Sequence, residues 1–238
     1  MLILMLALLL QDDPAAALKT FDAASKSKDA ALRAAAVTEL AKTDHEKVLA
    51  KLAKLLVVDA KEVRLAAAAG LGIVRETQDH NKKEITALTK GIVPNHAERE
   101  VVLAIVASLD KFSDGLGLSI LHQHFPSPDI PVAKTAVEAA GELRKKESIP
   151  VLIAFAKWLD AAARDATNVG PGGRVVTGGG LPGVGGTAGD PEAPKRARAL
   201  TPVVTKTLES LTKKSFKTPA EWEAWWKREG SDFQVPAK

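Results

Sequence analysis

The sequence predicts an all-α protein, an α-solenoid built from about five helical hairpins. Three observations carry that prediction: a recurring apolar pattern, helix-start residues at matching spacing, and a composition of 46% apolar but only 4% aromatic residues. The pattern has offsets 0, +4, +5 and +8 and reads Leu32/Ala36/Val37/Leu40, Val63/Ala67/Ala68/Leu71, Val101/Ile105/Val106/Leu109 and Val132/Ala136/Val137/Ala140. Such offsets line one face of a helix. Their return after 31, 38 and 31 residues is the mark of stacked hairpins, because a lone hairpin exposes the face that a stack buries.

The helix starts follow the same beat. Asp13-Pro14 offers a cap followed by proline at the first helical position, and Asp29, Asp59, Asn95, Asp114 and Asp129 each precede an apolar-periodic run. The partner helix of each hairpin is legible as Val48/Leu49/Leu52/Leu55/Leu56, Ile85/Leu88/Ile92, Leu116/Ile120/Leu121 and Val151/Leu152/Phe155/Leu159. No strand is required anywhere.

The 238 residues contain no Cys, which excludes disulfides, thiol catalysis and thiolate metal sites, and no Tyr. Thirty-three basic against 29 acidic residues leave a net charge of +4, too mild over this length to imply nucleic acid by itself. Met1 to Leu10 is an unbroken apolar run ahead of Gln11-Asp12-Asp13-Pro14. A membrane span needs roughly 20 apolar residues, so no stable span is expected. The run suits the apolar core of a secretory signal peptide, although the basic flank and a small-x-small cleavage site are missing. Residues 1–12 therefore read as a signal peptide or apolar N-terminal segment, placing the protein in the periplasm or outside the cell, with the cytoplasm as the alternative.

The stretch Asp59-Ala60-Lys61-Glu62-Val63-Arg64-Leu65-Ala66-Ala67-Ala68-Ala69-Gly70-Leu71-Gly72 resembles the first helix of a HEAT repeat, with an early Asp, a Val-Arg pair, paired alanines and a final Leu-Gly. Asp29 to Leu40 is a weaker copy carrying Leu32-Arg33, Asp129 to Gly141 has Ala133 in place of the Arg, and Glu98 to Leu109 keeps only the apolar positions. Repeats of 31 residues are shorter than the usual HEAT length of about 40–47. They are more similar to the compact bacterial HEAT-like class of the phycobilin-lyase type. The resemblance covers residues 13–167 as one solenoid region. It implies that the second helices line the concave surface.

Residues 168–194 hold ten of the seventeen Gly and four of the thirteen Pro, a composition that gains too little from burial to offset its ordering entropy. This reads as a flexible loop before the last repeat. Gly178-Gly179-Gly180-Leu181-Pro182-Gly183 matches GxGxxG and Gly180 to Thr187 resembles a phosphate loop, but no strand leads in and Gly186 stands where a Lys must reach phosphate. A nucleotide site is not expected.

After the loop, Val203/Thr207/Leu208/Leu211 fits the pattern at three of four positions, which defines a last hairpin over 195–230 and leaves 231–238 as a tail. Its first helix starts at Pro202, capped by Thr201, or is kinked there. Its second starts at Thr218-Pro219-Ala220-Glu221, a capping box with proline at the first position. On that helix Trp222, Trp225 and Trp226 share a face, forming either a cap on the open end of the stack or an aromatic platform for a ligand; the cap is the simpler reading because Leu208, Leu211 and Phe216 are available to cover the rings. The Leu211 to Phe216 stretch followed by Glu221-Trp222 and Trp225-Trp226 is similar to an ending of secreted bacterial HEAT-like proteins. Trp158 lies in an apolar helix and reads as core.

Chemistry-bearing groups are sparse. His122 and His124 share a metal only on extended backbone, since i and i+2 on a helix point about 200° apart. No catalytic, metal or cofactor site is predicted, and no cofactor. The informative charge pattern is Lys47/Lys51/Lys54 on the second helix of the first hairpin, joined by Lys82, Lys83 and Lys90 on that of the next, with Glu46 and Glu84 interrupting. Lys47, Lys51, Lys54, Lys82 and Lys83 are the candidate partner-binding residues. The expected function is a noncatalytic, monomeric scaffold binding a protein partner. Two alternatives stand beside it: a nucleic-acid-binding or DNA-glycosylase-like HEAT protein with a basic groove, and a lyase-like helper for a tetrapyrrole or other cofactor.

Overall fold

A computed structural model describes residues 13–167 and 192–237, with the side chains of 165–167 excepted. The apolar run of residues 1–12 and the glycine-rich motifs between 168 and 191 lie outside the described residues. Among the described residues there are eleven helices and no strand. They are α1 (Pro14–Ala24), α2 (Ala30–Leu40), α3 (Glu46–Val58), α4 (Lys61–Leu71), α5 (Gln78–Gly91), α6 (Arg99–Leu109), α7 (Leu116–Gln123), α8 (Ile130–Leu143), α9 (Ser148–Thr167), α10 (Ala193–Thr212) and α11 (Pro219–Glu229). The chain divides into two compact units, Met1–Ile120 and Leu121–Lys238. No described helix is long and apolar enough to cross a membrane.

In the first unit, α2, α4 and α6 pack side by side as one layer, α3 and α5 form a second layer against them, and α1 rests on α2 and α3. The recurring apolar pattern supplies the seam. Val63, Ala67, Ala68 and Leu71 on α4, and Val101, Ile105, Val106 and Leu109 on α6, are all fully buried. On α2 only Val37 and Leu40 are buried, and Leu32, expected at the same seam, is 60% exposed: the first turn of α2 lies beyond the cover of its described neighbours. The Leu-Gly ending of α4 is a packing requirement, because a Cβ at Gly70 comes 2.7 Å from the Ala41 Cβ and one at Gly72 comes 2.6 Å from the Ser108 Cβ. Glycine lets the layer close to that distance.

The arginines of the first two copies tie each helix to the next. Arg33 of α2 pairs with Asp59 at 2.8 Å, and Arg64 of α4 donates to the Asn95 Oδ1 at 2.8 Å and lies 3.6 Å from Glu98. Burial works to raise the Asp59 carboxyl, but the hydrogen bonds from Arg33 and the Ala60 amide, with the Arg33 charge, leave it below the usual carboxylate range. Val102 and Ala133 stand in the equivalent positions of the later copies and are fully buried, so the rung is not repeated there.

Helix starts that depend on local contacts form as expected. Asp13 and Asp29 accept from the amides of Ala15 and Ala31, Asp129 accepts from Val132, and Thr218 and Glu221 close a reciprocal capping box. Three others do not. Asp59 ends α3 rather than capping α4, whose N-cap is Ala60. Asn95 is fully buried, three residues before the Glu98 N-cap of α6, and its amide donates to the carbonyls of Leu56 (2.9 Å) and Gly91 (2.8 Å). Asp114 is exposed, while Asp110 accepts from the Gly117 amide at 2.8 Å in the first turn of α7.

In the second unit, α10 packs on both α8 and α9, and α11 packs on α9. Val132, Ala136, Val137 and Ala140 are buried as in the earlier copies. Of the two readings of Pro202, a helix start or a kink within a helix, the start is wrong: α10 begins at Ala193, taking in residues assigned to the loop, and runs through Pro202. Buried Ala193, Arg196, Ala197 and Leu200 hold this extra length, and Pro202 lies on the solvent side of the helix, where a missing backbone hydrogen bond costs least. The tail is tied down: Lys146 donates to the Ser231 carbonyl at 2.7 Å, Arg144 to the Pro236 carbonyl, and Phe233 packs edge-on to Trp225 at 5.2 Å.

Candidate interaction surface

The lysine stripe lies on the outer faces of α3 and α5, two neighbouring helices of the second layer. Their starts are joined by Lys83 and Glu46 at 2.9 Å, and their ends by the Asn95 bond to Leu56, so they run in the same direction. The inner face of α3 buries Val48, Leu49, Leu52, Leu55 and Leu56, which leaves positions 47, 51, 54 and 58 to form one outward row.

The five candidate lysines divide into two groups. Lys51 reaches back to Asp22 at 3.0 Å with its ammonium 5.0 Å from the Phe21 ring centroid, and Lys83 bridges Glu46 and Asp79 at 2.9 and 3.2 Å. The hydrogen bonds that Lys83 donates to Glu46 and Asp79 raise its pKa, and the bond from Lys83 lowers that of Glu46. These two lysines fasten helices together. Lys47, Lys54 and Lys82, with Lys90 further along α5, are exposed and have no ion-pair partner among the described residues. Glu84, read as an interruption of the stripe, does not face it. It is fully buried with its Oε1 3.2 Å from Arg75 Nε.

Hydrophobic side chains that sequence reasoning missed complete the surface. Val57 and Val58 at the end of α3 are 41% and 65% exposed, and Val93 after α5 is 45% exposed. The signal was available in the Val57-Val58 pair, since a helix's last turn favours cations and a β-branched pair there gains nothing unless it is covered.

The tryptophans are placed differently. Trp222 and Trp225 are 2% exposed each, packed with Phe216 at 4.8 and 6.0 Å, and the Trp225 indole donates to Glu229 at 2.7 Å. Only Trp226 is half-buried, with the Lys146 ammonium 6.0 Å from its ring centroid. Two of the three rings therefore present no face to a ligand. Trp158 is also buried, stacked on Phe155 at 5.7 Å.

His122 and His124 are not brought to a common ligand. The His122 Nε2 lies 3.0 Å from the Ser148 Oγ, a nucleophile-to-base distance, but Ser148 has no exposed surface, so no substrate reaches the hydroxyl. Among the described residues no group of three or more His, Asp or Glu side chains is placed to hold a metal ion. Burial pushes the His122 pKa down to about 4 against a partial upward effect of Glu147, and burial also lowers that of His124. The unfolded chain thus takes up protons that the folded unit refuses. Stability from this source is complete above pH 6.5 and falls as the pH drops towards about 4, on the order of 2 kcal/mol after allowing for solvent around the half-buried ring. His122→Gln is expected to flatten that part of the acid dependence in urea unfolding followed by fluorescence. An unchanged pH profile sinks this assignment.

Comparison with protein-family models, curated proteins and solved structures finds no match to this chain. What is established is the class: among the described residues, an all-helical fold of packed helix pairs, with a mixed basic and apolar face on two adjacent helices.

Proposed function

We propose that this chain is a noncatalytic α-solenoid of HEAT-like repeats that holds a protein partner, working in the cell envelope. The observation that supports it most is the division among the candidate lysines. Lys51 and Lys83 are engaged within the fold, whereas Lys47, Lys54 and Lys82 are presented to solvent without an ion-pair partner among the described residues. The repeat reading is supported by three copies of the apolar pattern buried at all four positions and by the layering of α2, α4 and α6 against α3 and α5. Burial of Trp222 and Trp225 supports the cap over the platform. The envelope location rests on the apolar run of residues 1–10, and intact mass of the mature chain from fractionated cells tests it.

Charge balance favours a protein over nucleic acid. Residues 1–120 carry 16 basic and 16 acidic side chains, while residues 121–238 carry 17 and 13 and so hold the whole net charge of +4. The unit bearing the stripe is neutral and provides no long-range field for a phosphate backbone. Purification of the full chain from its host with nuclease treatment, followed by reconstitution from purified components, is expected to give a stoichiometric complex with a protein. Recovery of nucleic acid alone, with loss of the complex on nuclease treatment, contradicts the proposal.

A further inference from the structure

We propose that the outer face of α3 and α5 is a docking site for an acidic amphipathic helix of a partner protein, its carboxylates on Lys47, Lys54, Lys82 and Lys90 and an apolar end on Val57, Val58 and Val93. This rests on the scaffold reading and names the chemistry of the partner. The acidic groups native to this face are already consumed: Asp22 by Lys51, and Glu46 and Asp79 by Lys83. Four exposed lysines remain without ion-pair partners among the described residues. Lys47 and Lys54 are seven residues apart, about 10 Å along α3 at 1.5 Å per residue. Lys82 and Lys90 are eight apart on the parallel α5, and helices packed side by side lie about 8–10 Å from one another. The four lysines thus mark two parallel rows, each with a spacing of about two helical turns, which carboxylates at i and i+7 of an incoming helix match.

The apolar end selects a peptide rather than a polyanion. The Asn95 amide bonded to the Leu56 carbonyl, and Gly91, where a Cβ would meet Leu56 Cδ2 at 2.5 Å, bring the ends of α3 and α5 together. Val57 and Val58 therefore stand beside Val93 and the exposed Pro94. An apolar patch touching a basic one gives nothing to phosphates, and among the described residues no exposed Phe or Trp ring stands on this face to stack a base, the Phe21 ring beside Lys51 being buried. For leucines at one end of an acidic helix it offers area to bury.

The test uses the full chain and a labelled synthetic 15-residue peptide with Glu at i, i+4, i+7 and i+11 and two leucines at one end, read by fluorescence anisotropy. A peptide of the same composition with scattered leucines and a single-stranded oligonucleotide of equal length serve as competitors. The expected result is salt-sensitive binding of the patterned peptide, preferred over both competitors. It weakens about tenfold in Lys54→Glu/Lys90→Glu and by about three- to tenfold in Val58→Ser/Val93→Ser. These positions are exposed, and an unchanged helical circular dichroism signal and melting temperature confirm that the variants fold. Equal affinity for the scrambled peptide, tighter binding of the oligonucleotide, or no loss in either variant overturns the proposal. A wild-type chain that ignores the peptide yet keeps a stoichiometric protein partner removes this surface and leaves the scaffold reading standing.

Discussion

Trp225→Ala is expected to cost about 3–5 kcal/mol, the largest loss from any single truncation in the second unit. The indole is 2% exposed and touches Phe216, Trp222, Trp226 and Phe233 at centroid distances of 6.0, 6.0, 5.7 and 5.2 Å. Its removal opens a cavity beneath both α11 and the anchored tail. It also strips Glu229 of a hydrogen bond that, together with the larger effect of Arg228, keeps its carboxyl below the usual range. The measurement is well suited to the molecule, because all four tryptophans lie at positions 158, 222, 225 and 226. Fluorescence therefore reports the second unit alone, and circular dichroism reports both. With a urea dependence of about 1–3 kcal/mol per molar, the fluorescence midpoint falls by a molar or more. Trp225→Phe, which keeps a ring, loses much less. A midpoint within a few tenths molar of wild type in Trp225→Ala means that the ring is not packed as described, and a ligand lost at intact stability revives the platform reading.

Arg75→Met is the counterpart in the first unit, expected to cost about 3–5 kcal/mol at neutral pH. Arg75 closes a polar joint between the two hairpin turns. Its guanidinium donates to the Ala41 carbonyl at the end of α2 at 2.7 Å, faces Glu84 at 3.2 Å and lies 3.9 Å from Asp44, while Asn81 bonds both its backbone amide and its carbonyl. Around the same joint, His80 Nδ1 is 2.7 Å from Asp44. Glu84 is fully buried, one of its oxygens has no partner, and burial raises its pKa against the opposing effect of Arg75. Removing the arginine leaves a carboxylate in apolar surroundings. Because the folded pKa then rises further above 4.5, the unfolded chain releases the proton first, and the penalty grows as the pH rises through the folded value and fades below it. Arg75→Met/Glu84→Leu is expected to recover most of the loss, since the pair is replaced by apolar volume. Circular dichroism must be the probe here, as no tryptophan lies before residue 158. A pH-independent loss, or a double variant worse than the single one, contradicts this account of the joint.

What was legible in the sequence was local. The caps at Asp13, Asp29 and Asp129 and the Thr218 box close within three residues of themselves, so residue type and spacing suffice to find them. Asn95 has the same chemistry as an N-cap and was misassigned because its partners are Leu56 and Arg64, 39 and 31 residues away. Only packing of α3 and α4 against α5 brings them to it. Pro202 looked like a helix start for a similar reason: propensity disfavours proline inside a helix, and nothing local announces that Ala193, Ala197 and Leu200 are buried ahead of it. The site divides in the same way. Helical spacing placed Lys47, Lys51 and Lys54 in one row, but the neutralising groups Asp22 and Glu46 lie 29 and 37 residues from the lysines they pair with. Sequence spacing therefore shows which lysines share a face and not which of them are free to bind.

The most direct measurement is a lysine acetylation footprint of the reconstituted complex, read by mass spectrometry against the free chain. Lys54, Lys82 and Lys90 are expected to lose most of their reactivity on binding. Lys134 and Lys206, exposed lysines of the second unit, are expected to keep theirs. Protection that falls on the second unit, or lysines on α3 and α5 that react as in the free chain, contradicts the assignment of this face as the partner's seat.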